Sequence, residues 1–153
     1  MRRTMSTRVI DRLIMVAHGR DDPTDEEWTR YLALVGSHGV NWTVQLVHTQ
    51  GGAPTPKQRR CLDQLIGARV VPVAVMSASL RVRARVWVRS WFDWRIRAFA
   101  ETPEGLREAM AFLQIPATRY DVIEMLLRVL AADVHEVPRR GSHSSPQEKE
   151  QRE

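Results

Sequence analysis

Cysteine is almost absent from this sequence: Cys61 is the only one among 153 residues. An intrachain disulfide is therefore excluded, and with it the class of small secreted domains that depend on disulfides. The composition, with 43% hydrophobic and 27% charged residues, is that of an ordinary globular chain that can build a core without disulfides or metal ions. We expect one domain in a reducing, cytoplasmic compartment.

Long apolar runs are missing as well. The apolar run over 13–17 is short and directly follows Arg12. A membrane-spanning helix needs about 20 consecutive apolar residues, so we expect no membrane span. The basic first residues lead into no continuous apolar segment, and we therefore expect no signal peptide.

Complete catalytic and cofactor motifs are the third absence. The sequence contains no Walker A loop, dinucleotide fingerprint, Cys-x-x-Cys pair or nucleophile elbow. Gly51-Gly52 precedes a predicted helix, but this pattern is typical of a turn. Cys61 lies on the apolar side of that helix, which indicates a core residue rather than a nucleophile. We predict a protein without enzymatic activity and without a cofactor or resident metal.

The sequence does contain a regular alternation of strand and helix patterns. Short apolar or alternating segments predict four strands, and helical patterns lie between them. Two helices have clear N-termini, one at the capping box of Thr24 and Glu27 and one at Thr55-Pro56. The predicted strands cover 9–18, 41–49, 70–76 and 94–100.

The segment 81–89 fits two structures. Arginine and apolar residues alternate with period two, as in a strand, but Leu80, Ala84 and Val88 also form one side of a helix. We assign a helix, because the parallel strands before and after it need a crossover connection. The resulting order, βαβαβαβαα, predicts an α/β fold with a mainly parallel four-stranded sheet.

The domain boundaries follow from composition. From residue 135 onward the chain is polar and has no aromatic residue, so it cannot bury enough surface to fold. We predict a flexible N-terminus over 1–8, a single domain over 9–134 and a disordered polar tail over 135–153.

Positive charge is concentrated in one segment. The net charge is +5, and residues 67–97 contain seven arginines and one acidic residue, Asp93. Arginine and tryptophan together are typical of protein interfaces, and they also stack on single-stranded nucleic acid. A simpler interpretation puts the tryptophans in the core and the arginines in water. Our leading hypothesis is a protein-binding domain, with nucleic-acid binding as the alternative, and the predicted partner-binding residues are Arg81, Arg85, Arg89, Trp87 and Trp91.

Polar residues also end two of the predicted strands. His18 ends the first strand, Asp21 follows it, and His48 lies near the end of the second. The carboxyl ends of parallel strands share one edge of a sheet, where α/β proteins place ligands. A small-ligand site, an acid–base pair or a His/His/Asp metal site at this edge, with Ser77 nearby, is therefore a further hypothesis. In the simpler interpretation the two histidines hydrogen-bond to loops.

The order of elements in the second half of the chain suggests a family. A strand at 70–76, a serine-containing turn, a helix, a short strand at 96–99 and an acidic, alanine-bearing helix at 101–110 follow one another. This order resembles STAS-like domains, the anti-sigma-factor-antagonist-like group, over about 9–115 in element order and 70–113 in residue pattern.

The resemblance implies a small module that docks on partner proteins. It also implies a phospho-acceptor in the turn, here Ser77 or Ser79. The turn Met76-Ser77-Ala78-Ser79 lacks the Asp and Gly of the family's Asp-Ser-Ser-Gly turn.

The predicted last helix, 118–132, has more apolar residues than one packed side requires. One side carries Ile123, Leu126, Leu127 and Leu130, and the adjacent side carries Val122, Met125 and Val129. The second side predicts an exposed patch that a homodimer would bury. In the alternative, the helix lies between the sheet and a neighbouring helix.

Overall fold

The sheet has five strands, and only its first pair is antiparallel. The computed structural model describes residues 3–39, 43–90 and 93–135. The strands lie side by side in sequence order, and β2 to β5 are parallel to one another. The α/β class and the mainly parallel sheet are confirmed, whereas the prediction of four strands is wrong. The strands are β1 Met5–Ile10, β2 Leu13–His18, β3 Val44–Thr49, β4 Val73–Ser77 and β5 Ile96–Ala100.

Helices connect the parallel strands as expected. The helical assignment of 81–89 is confirmed, and so is the capping box of Thr24 and Glu27. In the described part of the chain, no helix is long and apolar enough to cross a membrane. Of the predicted tail, only His135 lies within the described residues. The helices are α1 Asp25–Ser37, α2 Pro56–Ile66, α3 Leu80–Ser90, α4 Pro103–Phe112 and α5 Tyr120–Val134.

The additional strand comes from a turn that the sequence pattern did not indicate. The segment 9–18, predicted as one strand, is divided at Asp11, whose φ of 51° lies in the left-handed region. Aspartate tolerates this conformation, and a two-residue turn joins antiparallel strands. Residues 5–8, expected to be flexible, therefore pair with β2 as part of β1.

Helices α4 and α5 cover one face of the sheet. Met15, Leu46 and Ala74 lie on this face and are completely buried. Leu106, Ala109 and Met110 of α4 are buried against them, as are Ile123, Leu127 and Leu130 of α5. This face therefore forms a closed core.

The opposite face is closed only in part. Over β1 and β2, Ile14 and Val16 pack against Trp28 and Tyr31 of α1. Farther along the sheet, Val47, Val73 and Val75 of β3 and β4 are only half-buried. The uncovered part of this face lies between α2 and α3.

The second apolar side of α5 is exposed in the chain. Val122, Met125 and Val129 point to solvent, while Leu126 is half-buried. The alternative of a helix enclosed on both sides therefore does not describe α5. The exposed row is available for contact with another molecule.

Glu27 does more than cap α1. Its carboxylate accepts hydrogen bonds from the backbone N–H groups of Thr4 at 2.9 Å, Thr24 at 3.1 Å and Met5 at 3.3 Å. Partial burial raises the pKa of Glu27, but a hydrogen bond from the Thr4 hydroxyl, together with these backbone hydrogen bonds, outweighs burial and holds the pKa below its ordinary value. The carboxylate thus connects α1 to the beginning of β1.

A substitution at Gly105 tests how closely α4 packs on the sheet. A Cβ atom at this position would overlap the carbonyl oxygen of Ala100 at the end of β5. We expect Gly105→Ala to destabilise the protein by about 3 kcal/mol or more, as measured by urea unfolding. Gly36→Ala is the matched control, because the nearest atom to a Cβ at this helical position is 3.8 Å away. It should instead stabilise α1 by about 0.5–1 kcal/mol. Equal effects of the two substitutions would contradict this packing.

Candidate functional site

The two strand-end histidines do not come together. Their strands are neighbours, but Ala17 pairs with His48 and His18 pairs with Thr49. Because successive side chains of a strand point to opposite faces, His18 and His48 lie on opposite sides of the sheet. In the described ranges 3–39, 43–90 and 93–135, no three His, Cys, Asp or Glu side chains are grouped so that they could hold a metal ion.

His48 lies on the face that α4 and α5 cover. Its Nε2 atom is 3.0 Å from Oε1 of Glu101, although the two groups are not aligned for a hydrogen bond. The other oxygen of Glu101 accepts a hydrogen bond from the backbone N–H of Ala78 at 3.1 Å. Glu101 therefore connects the end of β5 to the turn before α3.

The two serines of that turn differ in accessibility. Ser77 is buried, and its hydroxyl donates to the carbonyl of Thr49 at 2.8 Å. Ser79 is half-buried, and its hydroxyl accepts from the N–H of Val82 at 3.4 Å in the first turn of α3. Asp21 is exposed in the loop between β2 and α1. A modifying enzyme would reach Ser79 more easily than Ser77.

Helix α3 has two different sides. Val82 and Val86 face inward and are half-buried. On the other side Leu80, Trp87 and Val88 have 75%, 57% and 50% of their surface exposed. The predicted interface arginines Arg81, Arg85 and Arg89 are all exposed, and Trp91 lies outside the described residues. The interpretation that puts Trp87 in the core does not describe this helix.

Helix α2 is held by a polar anchor at its N-terminal end. Gln58 is its one buried residue. The side-chain N–H groups of Gln58 donate to the carbonyl of Pro23 at 2.9 Å and to Oδ1 of Asp25 at 3.0 Å. Its backbone carbonyl accepts from Nε1 of Trp28 at 2.9 Å. The anchor fastens α2 to α1 and not to the sheet.

The remainder of α2 stands away from the sheet. The prediction that Cys61 is a core residue is wrong, because Cys61 is exposed. Leu65 is exposed as well, and Leu62 and Ile66 are half-buried. The physical reason is the position of α2 beside α1, which leaves a gap between α2 and α3. We call this gap the interhelical cleft.

The interhelical cleft has a volume of about 580 Å³. Ligand sites are typically about 300–1,000 Å³, so the cleft has the size of a small-molecule site. Its apolar walls come from the sheet, from α2 and from α3, and they include Val47, Val73, Val75, Leu62, Val82 and Val86.

Polar side chains line the inner end of the cleft. The Tyr31 hydroxyl donates to Oε1 of Gln45 at 2.7 Å. Nε2 of Gln45 and Nδ1 of His18 are buried and have no hydrogen-bond partner among the described residues. Leaving such a group unpaired costs about 1–3 kcal/mol. Burial lowers the pKa of His18 to about 4 and outweighs the opposing effects of Asp22 and Glu27, so its imidazole is neutral at pH 7.

The mouth of the cleft carries an excess of positive charge. Arg59, Arg85, Arg89 and Arg95 line it together with only two acids, Asp63 and Asp93. Arg95 and Asp93 are paired, with Nε of the guanidinium 2.7 Å from Oδ1. This hydrogen-bonded pair lowers the pKa of Asp93. The mouth therefore favours an anion.

Sequence reasoning missed the cleft, although one signal was present. Gln45 lies within an otherwise apolar part of β3, where a buried amide is unusual. Its partner Tyr31 lies on the buried side of α1. The gap itself depends on the position of α2 relative to the sheet, and no local sequence pattern predicts this position.

Comparison with known proteins gives no match. No family model, no curated protein and no solved structure matches this chain. The STAS-like resemblance therefore stays a prediction from the sequence.

The buried imidazole of His18 makes stability depend on pH. Below pH 6.5 the unfolded chain binds a proton at this residue, whereas the folded chain does so only near pH 4. The contribution of the neutral His18 to the free energy of unfolding is therefore fully present above pH 6.5, and it is lost as pH falls to about 4. We expect a loss of about 3 kcal/mol in the free energy of unfolding over this interval, measured by urea unfolding.

The His18→Gln variant should lose this slope, and Glu27 should add a further loss only below its ordinary pKa of 4.5. His38→Gln is the matched control, because His38 is exposed at the end of α1. A slope that survives in His18→Gln would contradict the assignment.

Proposed function

We propose that this chain is a non-enzymatic interaction domain that binds an acidic partner protein through the outward side of α3. We call this side the outward α3 surface. It consists of Leu80, Arg81, Trp87 and Val88.

The exposure of large apolar side chains supports the proposal most directly. Leu80, Trp87 and Val88 lie on one side of α3, and each has half or more of its surface exposed. Single exposed apolar residues are common, but a contiguous group surrounded by polar residues is typical of an interaction site. Tryptophan in particular contributes strongly to binding energy at protein interfaces.

The charge of the segment defines the chemistry of the partner. Arg81, Arg85 and Arg89 are exposed along α3, and Asp93, the one acid within residues 67–97, is already paired with Arg95. Like charges across an interface are costly, and opposite charges speed association. The partner should therefore present acidic side chains around an apolar centre.

A protein fits this surface better than a nucleic acid does. Single-stranded nucleic acid binds where aromatic rings stack on bases within a basic groove. Here the most exposed large apolar residue is the aliphatic Leu80, and Val88 lies beside Trp87. Arg85 and Arg89 also line the interhelical cleft, so they do not belong to the outward side alone.

The predicted resemblance to STAS-like domains agrees with this proposal, because those domains are mostly docking modules. The two serines of the turn are not equally suited to be the phospho-acceptor. Ser79 is the better candidate, since Ser77 is buried and donates to Thr49.

Substitutions on α3 test the outward α3 surface. A partner captured from native lysate would be purified and its affinity measured for each variant. We expect Trp87→Ala to weaken binding about thirtyfold, which corresponds to about 2 kcal/mol. Arg81→Glu should also weaken binding, and its effect should shrink at high salt. Arg81 is chosen because, unlike Arg85 and Arg89, it does not line the interhelical cleft.

Arg60→Glu is the matched control for charge, because Arg60 is exposed on α2. If Trp87→Ala binds the captured partner as tightly as the unmodified chain, the outward α3 surface is not the interface. Binding of a labelled oligonucleotide that requires Arg81 and falls steeply with salt would replace the proposal with nucleic-acid binding.

Self-association through α5 is a separate proposal. The exposed row of Val122, Met125 and Val129 would be buried if two copies met across a two-fold axis. We expect light scattering over a dilution series to show a dimer, and Met125→Glu with Val129→Glu to dissociate it without unfolding. A species that stays at 17.6 kDa at high concentration would contradict the dimer.

A further inference from the structure

The interhelical cleft has the features of a ligand site, and we infer that it binds an amphipathic carboxylate. The apolar body of the ligand would lie on the valines of the sheet and of α3. Its carboxylate would lie at the arginine-lined mouth. This inference is independent of protein binding at the outward α3 surface, because the two sites are on opposite sides of α3.

The walls of the cleft determine the body of the ligand. Val73 and Val75 of β4 form the floor, and Val82 and Val86 of α3 form one side. These side chains are only half-buried in the described chain. An apolar ligand would remove their remaining surface from water, and this is the main source of favourable free energy for such a site.

The inner end of the cleft supplies a reason for a ligand beyond apolar contact. Gln45 lines the cleft, is 3% exposed, and has an Nε2 group without a hydrogen-bond partner among the described residues. Tyr31 already uses Oε1 of this amide, which fixes its orientation. An acceptor atom at the inner end of a ligand would satisfy the remaining donor.

The mouth determines the charge. Asp93 neutralises Arg95, and Asp93 also interacts electrostatically with Arg89. Arg85 is exposed at the mouth and makes no ion pair with an acid of the described residues. A carboxylate at this position would form a charge-assisted hydrogen bond with its guanidinium.

Three probes of similar size separate the components of recognition. 9-Oxodecanoate carries an acyl chain, a carboxylate and a ketone oxygen near its far end that can accept from Nε2 of Gln45, decanoate lacks that ketone, and decanol lacks the charge. Isothermal titration calorimetry on the full chain should show binding of both carboxylates, with 9-oxodecanoate binding more tightly. Equal affinity of the two carboxylates would contradict a ligand acceptor at Gln45.

Two substitutions on α3 localise the binding. Val86→Trp fills the cleft and should weaken binding of the preferred carboxylate at least tenfold. Val88→Trp makes the same change on the outward side and should leave binding unchanged. Both variants should keep the circular dichroism spectrum and cooperative unfolding of the original chain.

Arg85→Gln tests the charge without filling the cleft. It should weaken binding of the carboxylate several-fold and leave the weaker binding of decanol unchanged. The inference is overturned if neither carboxylate binds at up to about 1 mM, or if Val86→Trp and Val88→Trp bind equally well. It is also overturned if Arg85→Gln weakens decanol as much as the carboxylate.

Discussion

Gln58 sets the position of α2, and the width of the interhelical cleft depends on that position. The side chain is buried and donates to Pro23 and Asp25, while its backbone carbonyl accepts from Trp28. Breaking these hydrogen bonds would leave buried polar groups unpaired, and each costs about 1–3 kcal/mol. The apolar contacts of α2 are weaker, because Leu62 is half-buried and the other apolar residues of the helix are half-buried or exposed. A polar anchor therefore holds α2 beside α1 and leaves the valines of β4 uncovered.

Because α2 does not reach α3, helix α3 borders the interhelical cleft on one side and solvent on the other. Its inner side, with Val82 and Val86, lines the interhelical cleft. Its outer side, with Leu80 and Trp87, is exposed. The arginines lie between these two sides, and this explains how one basic segment can serve both the proposed ligand and the proposed partner protein. The opposite face of the sheet offers no comparable site for a ligand or a partner, because α4 and α5 bury it over β2 to β4.

The features that the sequence predicted correctly depend on neighbouring residues. The beginning of α1 follows from Thr24 and Glu27, and the inner side of α5 follows from the helical spacing of Ile123, Leu127 and Leu130. The features that it missed depend on the arrangement of elements in space. Asp11 forms a hairpin turn without a glycine to mark it, and the gap beside α2 has no local pattern. The separation of His18 and His48 follows from a strand register that sequence alone does not provide, since a shift of one residue would put them on the same face.

Amide hydrogen exchange measured on Gln58→Ala tests the role of the anchor most directly. Amides of α2 should exchange much faster in this variant than in the original chain, because the hydrogen bonds to Pro23 and Asp25 that fasten the helix are removed, together with the one that Gln58 Oε1 accepts from the N–H of Thr55 at the N-cap. Amides of β3 should keep their protection and serve as the internal reference. The loss of protection should be confined to α2 and its contact with α1. Unchanged protection of α2 would show that Leu62 and Ile66 hold the helix by apolar packing, and it would contradict the polar anchor as the origin of the cleft.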